Sequence, residues 1–179
     1  MQNIWRKSDS ECADTVTESA GKHERKEVKH LKYCHVGIVS KDWRALSRFY
    51  QEVFGCRPLD PERHNTAADK VLGVEGGQIH GEHVMVPGYG DEGPTLEIMT
   101  LMPSGQEAGE HAYDYGYAHI CFEMDDTRPV LEKLLQHGGS ILSTWPDPFE
   151  ARCVYCKDPE GNIVEIRRPN LVPDTFRET

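Results

Sequence analysis

The sequence predicts an α+β fold built from two copies of a β-α-β-β-β unit, and three observations lead to it. The first is an ungapped internal repeat. HVGIVSKDWRALSRFYQEVFG begins at His35 and HICFEMDDTRPVLEKLLQHGG at His119, a constant offset of 84 that pairs His35 with His119, Asp42 with Asp126, Arg44 with Arg128 and Gly55 with Gly139. The second is a change of period within each copy. Two-residue alternation gives way to helical spacing, and turn signals and further β-type runs follow. The third is an acidic residue set between apolar ones in the closing strand of each copy: Glu97 in Leu-Glu-Ile-Met and Glu165 in Val-Glu-Ile-Arg.

Each copy opens on a short strand, followed by an Asp placed to cap a helix and a glycine placed to stop it. In the first helix Leu46, Phe49, Tyr50, Val53 and Phe54 fall at i, i+3, i+4, i+7 and i+8. In the second, Val130, Leu131, Leu134 and Leu135 form the apolar face, with Pro129 in the first turn. The first copy continues through VLGVEGGQIHGEHVMVPG to PTLEIMT, and the second through ILSTW and ARCVYC to NIVEIRR. Glu97 lies 62 residues after His35 and Glu165 lies 46 after His119, so the first copy has the longer middle section. The expected organisation is a polar extension over 1–29, a domain over 30–168 made of modules 30–102 and 117–168, and a tail over 169–179.

Alternation assigns the faces. Val36 and Ile38 flank one side of the first strand while His35 takes the other, and Ile120 and Phe122 do the same beside His119. Leu96 and Ile98 leave Glu97 opposite, as Val164 and Ile166 leave Glu165. If the apolar sets pack under helices, two histidines and two carboxylates are left on the other faces. A pseudo-twofold would bring them together on one concave surface, as a divalent-metal site with positions left for water or substrate.

At 37% apolar and 28% charged residues the composition is that of a soluble globular protein, with no apolar run near the roughly 18 residues of a membrane span. The start of the chain lacks the apolar stretch of a signal peptide, and the expected location is the cytoplasm. A formal charge of −10 argues against nucleic-acid binding, which needs a basic face. The six cysteines are expected as reduced thiols. Cys153 and Cys156 have zinc-knuckle spacing, but on a strand they face opposite ways.

Further candidates surround the four ligands. Cys121 shares a strand face with His119, and either touches the site or packs as a small thiol. His83, in the Gly-rich His80-Gly-Glu-His83 stretch, is expected in a hairpin, solvated or at the mouth of the site. Trp145, Arg152 and Arg167 lie on segments that could border it, and Arg167 shares a face with Glu165, available to that carboxylate or to an anionic substrate.

The His-Val-Gly-Ile opening, the Leu-Glu-Ile strand, Ala-His-Ile-Cys-Phe and Asp-Pro-Glu-Gly-Asn…Glu together resemble the vicinal-oxygen-chelate superfamily, which includes glyoxalase I, methylmalonyl-CoA epimerase, extradiol dioxygenases and the bleomycin- and fosfomycin-resistance proteins. The resemblance covers about residues 31 to 168 and implies paired modules forming a cup-shaped mixed-sheet barrel around one divalent ion (Zn, Ni, Co or Mn, with Fe for a dioxygenase). It implies His35, Glu97, His119 and Glu165 as ligands, and it implies a homodimer. The activity implied is that of a metal-dependent lyase or isomerase of glyoxalase I type. Such an enzyme chelates the vicinal oxygens of a small carbonyl substrate, a thiol or CoA conjugate among the possibilities, and moves a proton α to the carbonyl. Glu165 is the expected base and Glu97 the alternative. Epimerase-like isomerisation, extradiol dioxygenation on His35, His119 and Glu165, and non-catalytic binding or resistance are the other readings.

Overall fold

The computed structural model describes residues 32–105 and 116–168, apart from the Asp60 side chain. The extension expected over 1–29 and the tail over 169–179 lie outside these residues. The elements run β1 (His35–Val39), α1 (Trp43–Phe54), β2 (Arg57–Asn65), α2 (Asp69–Leu72), β3 (Gln78–Met85), β4 (Thr95–Met102), β5 (Ile120–Glu123), α3 (Arg128–Gln136), β6 (Ser140–Ile141), β7 (Cys153–Lys157) and β8 (Ile163–Arg167). This is β-α-β-β-β twice, with the short α2 inserted in the longer first copy. Each copy makes one mixed four-stranded sheet, in the order β1-β4-β3-β2 or β5-β8-β7-β6. In both, the first strand pairs in parallel with the last, as a strand–helix crossover requires, and the remaining pairs are antiparallel. Among the described residues the two sheets stay separate, so one chain does not close the barrel as a continuous sheet.

Helix α1 forms where the apolar spacing predicts it. The Asp42 side chain accepts from the Ala45 amide at 3.1 Å, and Gly55 ends the helix in the left-handed region at φ 70°, where a Cβ would be strained. Its five periodic residues are all buried, each contributing about 1.5–3 kcal/mol of apolar burial. Helix α3 departs from the repeat in two places. Its left-handed glycine is Gly138 (φ 88°) rather than Gly139, which instead packs closely against Leu134. Leu135 is exposed, because a nine-residue helix buries only Leu131 and Leu134, with Val130 partly covered.

The two modules share one core. Residues of α1 and α3 join Val84, Leu96 and Ile98 of the first sheet and Val154, Val164 and Ile166 of the second in a single cluster. Phe54 stacks on Phe122 at 4.3 Å, and His137 at the end of α3 meets Glu52 of α1 at 2.8 Å. The apolar face of each sheet therefore turns toward the common core, and its opposite face turns away from it. The DPEGN turn fastens the modules. Asp158 is buried and accepts from the Tyr50 hydroxyl at 3.0 Å, while Glu160 accepts from Ser40 Oγ and from the Lys41 and Asp42 amides. Burial and the neighbouring Asp158 push the Tyr50 hydroxyl well above its ordinary pKa, so it stays protonated and donates. No helix among the described residues is long and apolar enough to cross a membrane.

Candidate metal centre

His35, Glu97 and Glu165 stand on the sheet faces away from the core, and His119, just before β5, meets Glu165 there. In the first module His35 Nε2 lies 3.2 Å from Glu97 Oε2. Glu97 pairs laterally with Gly37 on β1 and with His83 on β3, and the side-chain alternation of both strands puts all three positions on one face. Although 9% exposed, the Glu97 side chain is not left unpaired. Arg63 of β2 makes a close ion pair with its Oε1, and His83 Nε2 lies 3.5 Å from the same oxygen. His83 also meets Thr95 Oγ1 through Nδ1 at 2.8 Å, and its ring stands edge-on to His35 with centroids 5.2 Å apart. Burial is the main cause of its lowered pKa; Arg63 and His35 push the same way and Glu97 opposes them. The stretch expected as a hairpin is thus the eight-residue strand β3. It sends His83 into the site and His80 to the other face, where His80 meets His64 at 3.2 Å.

Gly81 lies opposite Arg63 of β2 and Met99 of β4 in the register. A Cβ there would stand 2.7 Å from Met99 Cα and closer still to the Ile98 carbonyl, and backbone atoms cannot move aside. Gly81→Ala is therefore expected to destabilise the fold by about 2 kcal/mol, read as a lower urea midpoint. An unchanged midpoint would show that the strands separate at no cost.

The second module repeats the pair with different neighbours. His119, just before β5, places Nε2 2.9 Å from Glu165 Oε2, and the Glu165 side chain is 17% exposed. Cys153 of β7 donates to Glu165 Oε1 at 3.0 Å, and Cys121 on β5 is the lateral partner of Glu165. Burial first, and then the Glu165 charge, push the Cys121 thiol up to about 11. For Cys153 burial and the Glu165 hydrogen bond push it up to about 12. Tyr155, paired with Glu165 on its other side, packs its ring 5.0 Å from that of His119. Cys156 points into the core, so the zinc-knuckle spacing is split between faces as the strand requires.

The weaker candidates divide. Cys121 borders the site. Arg167 does share the face of Glu165, but its ion pair is with Glu123, at 2.6 and 2.9 Å, which raises its pKa and leaves Glu165 to Cys153 and His119. Trp145 is 56% exposed and donates to the Cys153 carbonyl at 3.0 Å, at the rim of the second sheet. Arg152 is exposed. Sequence reasoning missed Arg63 and the Cys153 contact. Arg63 lies in RPLDPERHN, where Pro58 and Pro61 erase the strand pattern, and such a strand survives because β2 is at a sheet edge.

Within one chain the two histidine–glutamate pairs do not form a single cage. Among the described residues, no group of three or more His, Cys, Asp and Glu side chains is assembled as a metal site. The sheet faces bearing the pairs are open. Two clefts among the described residues lie elsewhere, one of about 260 Å³ between α1, His137 and Glu160, another at Leu142–Trp145. Each pair nevertheless suits a divalent ion. Donor atoms about 2.1 Å from one ion at right angles stand about 3.0 Å apart, close to the separations seen in both modules.

Solved structures share this architecture. A glyoxalase family protein from Bacillus cereus is 14% identical and superimposes with a TM-score of 0.61, covering 81% of this chain and 97% of its own. A glyoxylase/bleomycin resistance protein/dioxygenase domain from Frankia sp. EAN1pec is 16% identical with a TM-score of 0.52, over 79% and 98%. The fosfomycin resistance protein FosX of Listeria monocytogenes is 15% identical with a TM-score of 0.50, over 84% and 99%. At these identities the likeness is one of fold. No curated protein matches the chain in sequence. The profile of the glyoxalase family matches residues 32–166, most of the chain and both modules. By that match the chain belongs to the Glyoxalase/Bleomycin resistance protein/Dioxygenase superfamily.

Proposed function

We propose that the protein is a divalent-metal-dependent lyase or isomerase of glyoxalase type, acting on a small carbonyl substrate. The observation that carries this reading is the equivalent placing of His35 with Glu97 and His119 with Glu165 in the two modules. These four residues would hold the ion. When bound, it supplies Lewis acidity to vicinal oxygens and stabilises an enediolate.

The site is completed by a second copy. Both pairs turn away from the core of their own chain, and among the described residues β1, which carries His35, and β5, which follows His119, end their sheets with unpaired edges. A homodimer that sets the first module of one copy against the second module of the other would gather two imidazoles and two carboxylates and cover those edges.

The two carboxylates are not equal. Glu97 is clamped by Arg63 and nearly buried, whereas Glu165 meets the Cys153 thiol and the His119 imidazole and is more exposed. Glu165 is therefore the base that takes the proton from the carbon α to the carbonyl and returns it to the neighbouring carbon. The metal-reconstituted protein, incubated in D₂O with the hemithioacetal of an α-ketoaldehyde or with a chiral acyl-CoA, is expected to put deuterium on carbon, followed by NMR. Absence of exchange with both classes under every divalent ion tried would sink the proposal.

The Arg63–Glu97 pair favours one second reading. With Glu97 engaged, His35, His119 and Glu165 remain as a two-histidine, one-carboxylate set of the kind that suits Fe(II) and oxygen. Glu97→Gln separates the two. If Glu97 is a ligand, metal affinity falls about 100-fold or more, since loss of even an outer partner costs 10–100-fold. In the ring-cleaving reading, iron affinity is unchanged and oxygen consumption with catechols persists.

A further inference from the structure

We propose that Arg63 is a specificity-determining residue of the site, and that the substrate carries a carboxylate directly beside its carbonyl, the pattern of a 2-oxo acid. This deepens the proposed function and rests on it in one respect, that the reaction takes place at the face bearing Glu97.

The register brings Arg63 to that face. Arg63 lies opposite Gly81, and Gly81 and His83, two residues apart on β3, share its face. Gly81 has no side chain to stand in the way, so the long arm of Arg63 crosses β3 and meets Glu97 on β4. Its Nη1 takes Glu97 Oε1, while His35 Nε2 lies 3.2 Å from Oε2. A permanent cation therefore shares one carboxylate with the first histidine of the site.

This pair is unlike the molecule's other arginine pairs. Arg44, Arg57, Arg128 and Arg167 meet exposed carboxylates, those of Glu62, Asp91, Glu150 and Glu123. Arg63 meets a carboxylate whose side chain is 9% exposed, while its own is 53% exposed. The guanidinium is thus anchored at one nitrogen and reachable from the open face. A planar fork of five N–H donors keeps capacity for a second oxyanion after one donor is given to Glu97.

Charge and reach set the kind of substrate. Glu97, Glu165 and a formal charge of −10 repel an anion, which needs a local cation to dock. Arg167 on the second module is engaged by Glu123, whereas Arg63 supplies that cation on the first. Only one carboxylate separates Arg63 from His35, so an anionic group meets the guanidinium when it is attached close to the reacting oxygens. A carboxylate at the far end of a large conjugate would gain nothing from Arg63. The carboxylate and keto oxygens of a 2-oxo acid are also vicinal, as the proposed chemistry requires.

Ligand-observed NMR titration of the full chain reconstituted with Zn(II) tests this by comparing 2-oxobutanoate with 2-oxobutanamide, which keeps the shape and loses the charge. The acid is expected to bind about 10- to 100-fold more tightly. That preference should vanish in Arg63→Gln and persist in part in Arg63→Lys, where a point charge replaces the fork. If Arg63 served only to hold Glu97, its loss would shift acid and amide together and leave their ratio unchanged, which would overturn the inference. Equal affinities in the unmodified protein, or no binding of either compound, would overturn it too. The proposed function would then still be decided by deuterium exchange into the hemithioacetal or the acyl-CoA.

Discussion

Replacing Glu165 with glutamine is expected to cut turnover by about 10³-fold or more while leaving the fold intact. Two losses combine. The proton-transfer contribution of a positioned base, on the order of 10²–10⁴, disappears, and one anionic ligand of the ion becomes neutral. The amide keeps the shape of the carboxylate, so the strand contacts of Val164 and Ile166, both fully buried, survive. Glu97→Gln serves as the comparison. It removes an equivalent ligand but not the base, so it should weaken metal binding more than it lowers kcat once metal saturates. Equal loss of kcat in both variants at saturating metal would show that the pseudo-symmetry is not broken in the way the Arg63 clamp implies.

The largest effect on stability is expected at Asp158, far from the chemistry. Its carboxylate accepts from the Tyr50 hydroxyl at 3.0 Å, the Glu160 and Asn162 amides at 2.9 Å and Asn162 Nδ2 at 2.8 Å, and it is 3% exposed. Asp158→Ala strands these donors and loosens the turn that presents Glu160 to the start of α1, where an anion is favoured by the helix dipole. The expected cost is about 3 kcal/mol, roughly 10 °C in Tm for a chain of this size. Tyr50→Phe keeps the ring in the core and removes only the hydroxyl, so it should cost about 1 kcal/mol. If the alanine variant cost no more than the phenylalanine one, the turn would be a local feature and not the clamp between modules.

The repeat was legible because it is written in local patterns. Alternation in HVGIV, LEIM, HICF and IVEI assigns each His and Glu to the face away from the core, and the structure places His35, Glu97 and Glu165 there, with His119 meeting Glu165. Helix α1 was equally plain, since its cap, its apolar spacing and its glycine stop agree. What stayed hidden depends on contacts between segments distant in sequence. The DPEGN turn reads as a turn in any protein, and nothing local says that Asp158 will meet Tyr50 of the other module, 108 residues earlier. Arg63 reaches Glu97 across β3, from a strand whose two prolines hide it. Cys153 reads as an ordinary strand residue until β8 sets Glu165 beside it. Leu135 fits the helical face by spacing, but α3 buries only Leu131 and Leu134 and leaves it exposed.

Whether the cup closes within one chain was not legible in the sequence. The two sheets of one chain meet through a common core, which turns the histidine–glutamate faces outward. Local patterns can assign a residue to a face, but they cannot say whether that face meets its partner within the same chain or in another copy.

The central claim is that His35, Glu97, His119 and Glu165 together hold one divalent ion. Its most direct test is the metal content of protein purified without chelator, by inductively coupled plasma mass spectrometry, beside His35→Ala and His119→Ala. The account predicts about one Zn, Ni, Co or Mn per chain in the unmodified protein, and a marked loss in each variant after exhaustive dialysis, because each removes a ligand. No bound metal in the unmodified protein, even after reconstitution with all four ions, would contradict it.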